Sequence, residues 1–363
     1  MRMHRARRSP PFVRAVHDRR RAAARHVRRL GLLAVSFALS ALTVVPLVSA
    51  PAEALDPVAL KAVQTGTATL AAGATATTVP ITAVDPARAF VTFGVEEALD
   101  DARDGAVSVA LVGGNSLRFE RFGTVGAITI RWHVAEFRNG VTVQRGSTVL
   151  TADLTNVAIT AVDPARSFVL PSLRSPAISW GDSDFVRARL TGGSNLELAI
   201  GVPAANPVVE WQVIEYSEAR VQHGTLTIKS GVSNGTAPVS AVAPGKAWLI
   251  TSFHSASGPG GPNIGSRMVR GSISSPTEIR FDRLIAPGDM EVAWSLVEFT
   301  DATEVRHGVE WFNVGASQRS VPIAAVDPAR SIAVAGYQTA GGATDSSDRA
   351  AGVALFTSRL ADA

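Results

Sequence analysis

The sequence has 363 residues, 46% hydrophobic and 18% charged, with 31 Gly, 20 Pro and no Cys. Lack of cysteine excludes disulfide scaffolds, thiolate zinc sites, iron–sulfur clusters and thiol catalysis, and the apolar fraction excludes wholesale disorder. Of the 35 basic and 31 acidic residues, eleven Arg and two acids lie in the first 54, leaving 24 against 29 and a net charge of −5 over 55–363. The basic signature therefore belongs to the leader, and the body carries no nucleic-acid footprint.

The first predicted element is that leader. Arg2 to Arg29 are followed by LGLLAVSFALSALTVVPLV and small residues ending at Ala52-Glu53-Ala54. An Arg-rich start, an apolar stretch and an A-x-A site predict a secretory signal over 1–54, cut after Ala50 or Ala54. The apolar run is also long enough for an uncleaved anchor, against which Pro46 and the A-x-A site weigh. No second run of spanning length follows, so the mature chain is expected to be secreted, extracellular or at the cell surface, with no transmembrane segment.

The body then repeats itself. VPITAVDPARAFV (79–91) returns as VAITAVDPARSFV (157–169), APVSAVAPGKAWL (237–249) and VPIAAVDPARSIA (321–333). Each is preceded by VQTG, VQRG, VQHG or VRHG, ending at Gly66, Gly146, Gly224 and Gly308. A third phrase occurs three times, as WHVAEF (132–137), WQVIEY (211–216) and WSLVEF (294–299). These predict tandem units of roughly 80 residues, at 55–139, 140–219, 220–303 and a partial fourth at 304–363. Within a unit the apolar period is two: Trp211, Val213 and Glu215 share one face, Gln212, Ile214 and Tyr216 the other. Short runs bounded by Gly, Asn, Pro and Ser predict an all-β protein of tandem antiparallel β-sandwich modules with six or seven strands each, the last incomplete. That last copy has three possible resolutions: packing on the third, completion by a strand from another chain, or a permuted module boundary.

Asp-Pro-Ala-Arg reads as a turn device, Asp bonding forward to backbone amides and Pro fixing φ. The third copy substitutes Ala-Pro-Gly-Lys, keeping Pro and a cation. Trp132, Trp211 and Trp294 are assigned to the core. Glu136, Glu215 and Glu298, four positions on, share the apolar face and need partners; the expected ones are Arg88, Arg166 and Lys246, or another nearby Arg.

Gly231-Val232-Ser233-Asn234-Gly235 matches G-x-S-x-G, but between two predicted strands it reads as a loop. His223 and His307 stand where the first two copies have Thr65 and Arg145, a variety expected of exposed polar strand positions. Asp100, Asp101, Asp104, Asp182, Asp184, Asp345 and Asp348 cluster in one equivalent loop. A solvated turn is favoured there over a calcium site, for which no recognised spacing exists, and no metal or cofactor is expected. Trp180 with Asp182 and Asp184 is the candidate ligand-contacting loop, since an exposed indole stacks on sugar faces; a buried loop anchor is the alternative.

The run of short strands with an aromatic strand near the end of each unit resembles H-type lectin modules and related small sandwiches of surface fibres. The resemblance implies glycan binding and trimerisation. It assigns no sugar-binding residue here, and a fold does not by itself license a function. The expected function is that of a secreted, non-enzymatic adhesive or glycan-binding module, its partner a glycan or another surface protein. The alternatives are a structural protein that self-assembles through the partial fourth copy into a homo-oligomer with no small ligand, and, third, a secreted hydrolase.

Overall fold

The computed structural model describes residues 59–96, 101–203, 206–255, 264–313, 316–339 and 355–361. The predicted signal, Asp100, Asp345 and Asp348 lie outside them. Each of the first three copies forms six strands. In module 1 these are β1 (Leu60–Leu70), β2 (Ala76–Pro80), β3 (Ala89–Glu96), β4 (Ser108–Val112), β5 (Ser116–Glu120) and β6 (Ile128–Phe137). Module 2 has β7 (Val141–Val149), β8 (Leu154–Ala158), β9 (Ser167–Arg174), β10 (Val186–Leu190), β11 (Asn195–Ile200) and β12 (Val208–Tyr216). Module 3 has β13 (Ala219–Ile228), β14 (Asn234–Pro238), β15 (Ala247–Ser255), β16 (Arg270–Ser275), β17 (Glu278–Asp282) and β18 (Met290–Phe299).

Every module divides its strands between two three-stranded antiparallel sheets. The inner sheet has the order β1-β6-β3, β7-β12-β9 or β13-β18-β15, with the tryptophan strand at its centre. The outer sheet has the order β2-β5-β4, β8-β11-β10 or β14-β17-β16, with the fifth strand at its centre. The two-residue period sorts side chains between layers. Ile128, Ile130, Trp132 and Val134 of β6 enter the core between the sheets of module 1. Val209, Trp211 and Val213 do so in module 2, and Val292, Trp294 and Leu296 in module 3.

The opposite face of each inner sheet is covered as well. Leu60, Val63, Phe90 and Ala135 of module 1, Val141, Val143, Phe168, Ile214 and Tyr216 of module 2, and Ala219, Val221 and Val297 of module 3 form one shared core, against which Ile332 of the fourth copy packs. Two chains of aromatic contacts run through it. Phe90 meets Phe168 at 6.3 Å and Phe168 meets Trp248 at 5.8 Å; Phe137 meets Tyr216 at 5.4 Å and Tyr216 meets Phe299 at 6.1 Å. The modules are thus sectors around a common hub.

The hub closes within one chain. The 3-10 turn Pro86–Arg88 of module 1 packs on β7, Pro164–Arg166 of module 2 on β13, and Pro328–Arg330 of the fourth copy on β1. The third copy's turn, Pro244–Lys246, receives the fourth copy, His307 Nε2 lying 3.0 Å from the carbonyls of Pro244 and Ala247. Arg131 of module 1 donates to Thr357 Oγ1 at 3.2 Å, and Thr357 donates to Glu96 at 3.0 Å. The fourth copy therefore packs on the third and also on the first. Among its described residues it keeps the 3-10 turn but has no strand.

Candidate functional surfaces at the module interfaces

The repeated phrases are devices that join strand to turn and module to module. Trp132, Trp211 and Trp294 are buried against Gly66, Gly146 and Gly224, where a Cβ would come within 2.7, 2.7 and 2.6 Å of the indole Cε2. The glycine of VQxG is thus the floor of a tryptophan slot. Thr148 accepts the Trp211 indole N–H at 3.1 Å. Ala68 and Leu226 take the place of Thr148, two residues after the glycine, in modules 1 and 3, and the Nε1 atoms of Trp132 and Trp294 are buried without a hydrogen bond among the described residues.

The glutamate four positions on serves the turn, not its cation. Glu136 accepts from the Asp85 amide at 3.0 Å, Glu215 from Asp163 at 3.0 Å and Glu298 from Ala243 at 2.8 Å. Among the described residues only Glu136 of the three also meets a cation, Lys61 at 3.0 Å. Arg88, Arg166 and Lys246 donate instead to the carbonyls of Arg138, Ser217 and Asp301. The expected pairing is corrected because a turn amide needs one acceptor and the guanidinium reaches carbonyls just past the tryptophan strand. Asp85, Asp163 and Asp327 cap their turns by accepting from Ala87, Ala165 and Ala329 at 2.9 Å each. Ala243 cannot, yet the third turn forms, consistent with Pro and the cation–carbonyl contact sufficing.

The variable position before the repeated glycine makes an inter-module contact through Arg145, His223 and His307, while Thr65 and His307 are exposed as expected of polar strand positions. Arg145 donates to the carbonyls of Pro86 and Ala89 in module 1. His223 Nε2 lies 2.8 Å from Pro164 O and its Nδ1 3.0 Å from Ser295 Oγ. Burial lowers the His223 pKa, the Pro164 and Ser167 backbone opposing the shift. Arg145 and His223 thus each present a donor to the preceding turn.

The ligand loop expected around Trp180 is corrected. Trp180 is only 6% exposed and packs within the module 2 core, its ring 5.9 Å from Phe185. Asp182 accepts from Arg267 of module 3 at 2.9 Å. Asp184 is buried and accepts from Ser175 Oγ and the Gly181 amide; burial pushes its pKa up to about 6. The loop is a buried anchor because its indole is worth more in the core than in water and its carboxylates are already paired. Asp104 likewise is buried, accepting from the Val125 amide at 2.8 Å.

Two further clusters of ionisable groups reach across sector boundaries. At the module 2–3 boundary Arg187 reaches Glu197 at 2.9 Å and Glu291 of module 3 at 3.3 Å; Arg189 holds Glu197 at 2.6 Å, and His254 lies 3.3 Å from Glu291. The Arg189 hydrogen bond lowers the Glu197 pKa. At the module 1–2 boundary Arg174 bridges Glu120 at 3.4 Å and Glu210 at 3.2 Å. Beside it a cleft of about 200 Å³ is lined by Val91, Arg145, Ser147, Glu210, Trp211 and Gln212, among others. Gln212 spans the boundary there, exchanging two hydrogen bonds of 2.9 Å with the Val91 backbone. Sequence reasoning missed Arg187–Glu291, Arg174–Glu120 and Gln212–Val91 since they join residues from different copies at non-repeating positions.

Two buried arginines hold the outer loops. Arg121 donates to the carbonyls of Ala71, Ala74, Asp104, Val125 and Gly126, and Arg283 to those of Ile228, Lys229, Val232 and Gly288. Gly231-Val232-Ser233-Asn234-Gly235 runs from this loop into β14, as a connection between strands. No protein-family model matches the chain, and no curated protein is a significant match.

Proposed function

We propose that the chain is a secreted, non-enzymatic β-repeat scaffold of a cell surface or extracellular matrix, with a structural and assembling role. The observation that carries this reading is the use of its clustered ionisable groups. Arg187, Glu197 and Glu291, and Arg174, Glu120 and Glu210, are paired across or beside module boundaries. Pairing of this kind fixes geometry and register more than it adds stability.

An adhesive or glycan-binding role is the second reading, favoured by the cleft beside Gln212. Its polar lining is already engaged: Glu210 accepts from Ser147 at 2.7 Å and Arg145 is bonded to the module 1 backbone, which ranks it below the first.

The deciding experiment pairs a solution mass measurement of the exported protein with a glycan array. A concentration-dependent assembly lost on removing 304–363, with no saturable glycan signal, supports the scaffold. Specific sugar binding, or polymer hydrolysis abolished by one carboxylate substitution, overturns it. Sequencing the exported N-terminus, expected at Pro51 or Leu55, tests the export step separately.

A further inference from the structure

We infer that the fourth copy is an acceptor for an extended strand from another polypeptide, one carrying an aromatic residue and, four positions later, a glutamate. The inference deepens the scaffold reading by naming the partner's chemistry, and rests on it for the assembling role.

In modules 1 to 3 each sheet is centred on a late strand, the sixth in the inner sheet and the fifth in the outer. Described residues of the fourth copy repeat only the earlier, flanking strands. They are held as their counterparts are. Arg306 donates to the carbonyls of Ala324 and Ala325, just as Gln64 donates to Thr82 at 2.8 Å. Phe356 lies 4.6 Å from Phe312 and 5.5 Å from Tyr337, and Ser358 donates to Ala333 O at 2.9 Å. Strands that flank a missing centre are two spacings apart, about 9.5 Å, beyond reach of each other's hydrogen bonds. That accounts for the absence of strand pairing at 305–312 and 331–337, although these segments repeat the sequence of β1 and β3.

Two unfilled contacts specify the occupant. A Cβ placed on Gly308 meets no described atom within 4 Å, whereas those on Gly66, Gly146 and Gly224 meet indoles. The Asp327 amide has no acceptor among the described residues, whereas those of Asp85, Asp163 and Ala243 each have a glutamate. In every complete module one strand fills both places, with Trp132 and Glu136, Trp211 and Glu215, or Trp294 and Glu298. Val321 and Ile323 are 45% and 53% exposed, while their counterparts Val79 and Ile81 pack on the module 1 core.

Nothing else in this sequence fits the slot. Outside the described residues no aromatic is followed four positions later by Glu. The stretch just before β1 carries Pro46, Pro51 and Pro57, which cannot donate at the centre of a ladder. The tryptophan strands of the chain are themselves engaged. A strand in trans, added by β-augmentation, meets both requirements.

The test uses the full exported chain and a labelled peptide of residues 207–218, PVVEWQVIEYSE, which carries Trp211 and Glu215. Saturable binding is expected, weakened at least tenfold by Trp211→Ala in the peptide and by Gly308→Ala in the chain. Slowed amide exchange should appear at 305–312 and 331–337. Gly308→Ala meets open space in the free chain, so its melting curve serves as the folding control. No saturable binding, or binding indifferent to both changes, overturns the inference. So does amide exchange at 305–312 in the free chain as slow as in β7, which would mean the slot is filled from within. A positive glycan array would sink the scaffold reading and leave these readouts unchanged, so the two fail separately.

Discussion

Gly146 and Trp211 form a contact that no other residue at 146 allows, since a Cβ there would come within 2.7 Å of the indole Cε2. Trp211→Ala is therefore expected to lower stability by about 3–5 kcal/mol, through lost burial and the cavity left behind. Gly146→Ala should cost about 1–3 kcal/mol by overpacking. Gly308→Ala, facing open space, should stay within about 0.5 kcal/mol of wild type. Denaturant titration of the three variants checks the order.

Glu215 is the acceptor for the Asp163 amide at 3.0 Å. Glu215→Gln keeps an acceptor oxygen in place and should cost well under about 1 kcal/mol, whereas Glu215→Ala strands the amide and should cost about 1–2 kcal/mol. If the glutamate acted as the ion-pair partner of Arg166, Gln and Ala would be equally damaging. Equal losses in a melting series would refute the turn-acceptor role.

Arg283 is 2% exposed and serves four loop carbonyls. Arg283→Met should cost on the order of 3 kcal/mol, since those acceptors lose their donor where water cannot readily replace it. Module 2 has the apolar Ile200 at the end of the corresponding strand, buried in its core, so Ile200→Arg is expected to be worse than neutral. Limited proteolysis at 228–233 should report loosening in Arg283→Met before global unfolding does.

Acid should weaken the hub through its histidines. Burial lowers the pKa of His223 and of His133, with the Ser358 backbone opposing the shift at His133. The unfolded imidazoles titrate near 6.5 and so take up protons first. Their contribution is full above that pH and is lost as pH falls through the lowered folded values. Asp184 runs the other way: raised from 3.8 to about 6 by burial, it favours the folded state below 3.8 and loses that contribution as pH rises through about 6. Melting temperatures across this range should fall less steeply on the acid side in His223→Gln, and Asp184→Asn should remove the loss between pH 4 and 6.

Much of the module was legible because its signals are local. The two-residue period of WQVIEY separates Trp211 and Val213 from Ile214 and Tyr216, and the structure sends these pairs to different cores. The VDPAR turn followed from Asp and Pro chemistry alone. What the sequence did not disclose is long-range. Phe90, Phe168 and Trp248 look like ordinary strand openers, and only closure of the chain on itself makes them neighbours. The Trp180 loop was ambiguous for a similar reason: whether an indole next to acids faces water depends on Arg267, 87 residues later, pairing with Asp182. Glu136 and Arg88 were matched by charge, while geometry matched each to backbone groups instead.

The shared core of Phe90, Phe168, Tyr216, Val297 and Ile332 has an evolutionary corollary. Beads on a string can be added or lost one at a time, each junction tolerating the change. A circuit whose last sector touches its first has no such freedom: deleting one whole sector would leave a gap that the survivors could cover only by re-angling every joint at once. Copy number here should be under stronger selection than the identity of most surface residues, and any shortened variant that still functions would have to have rebuilt its axis.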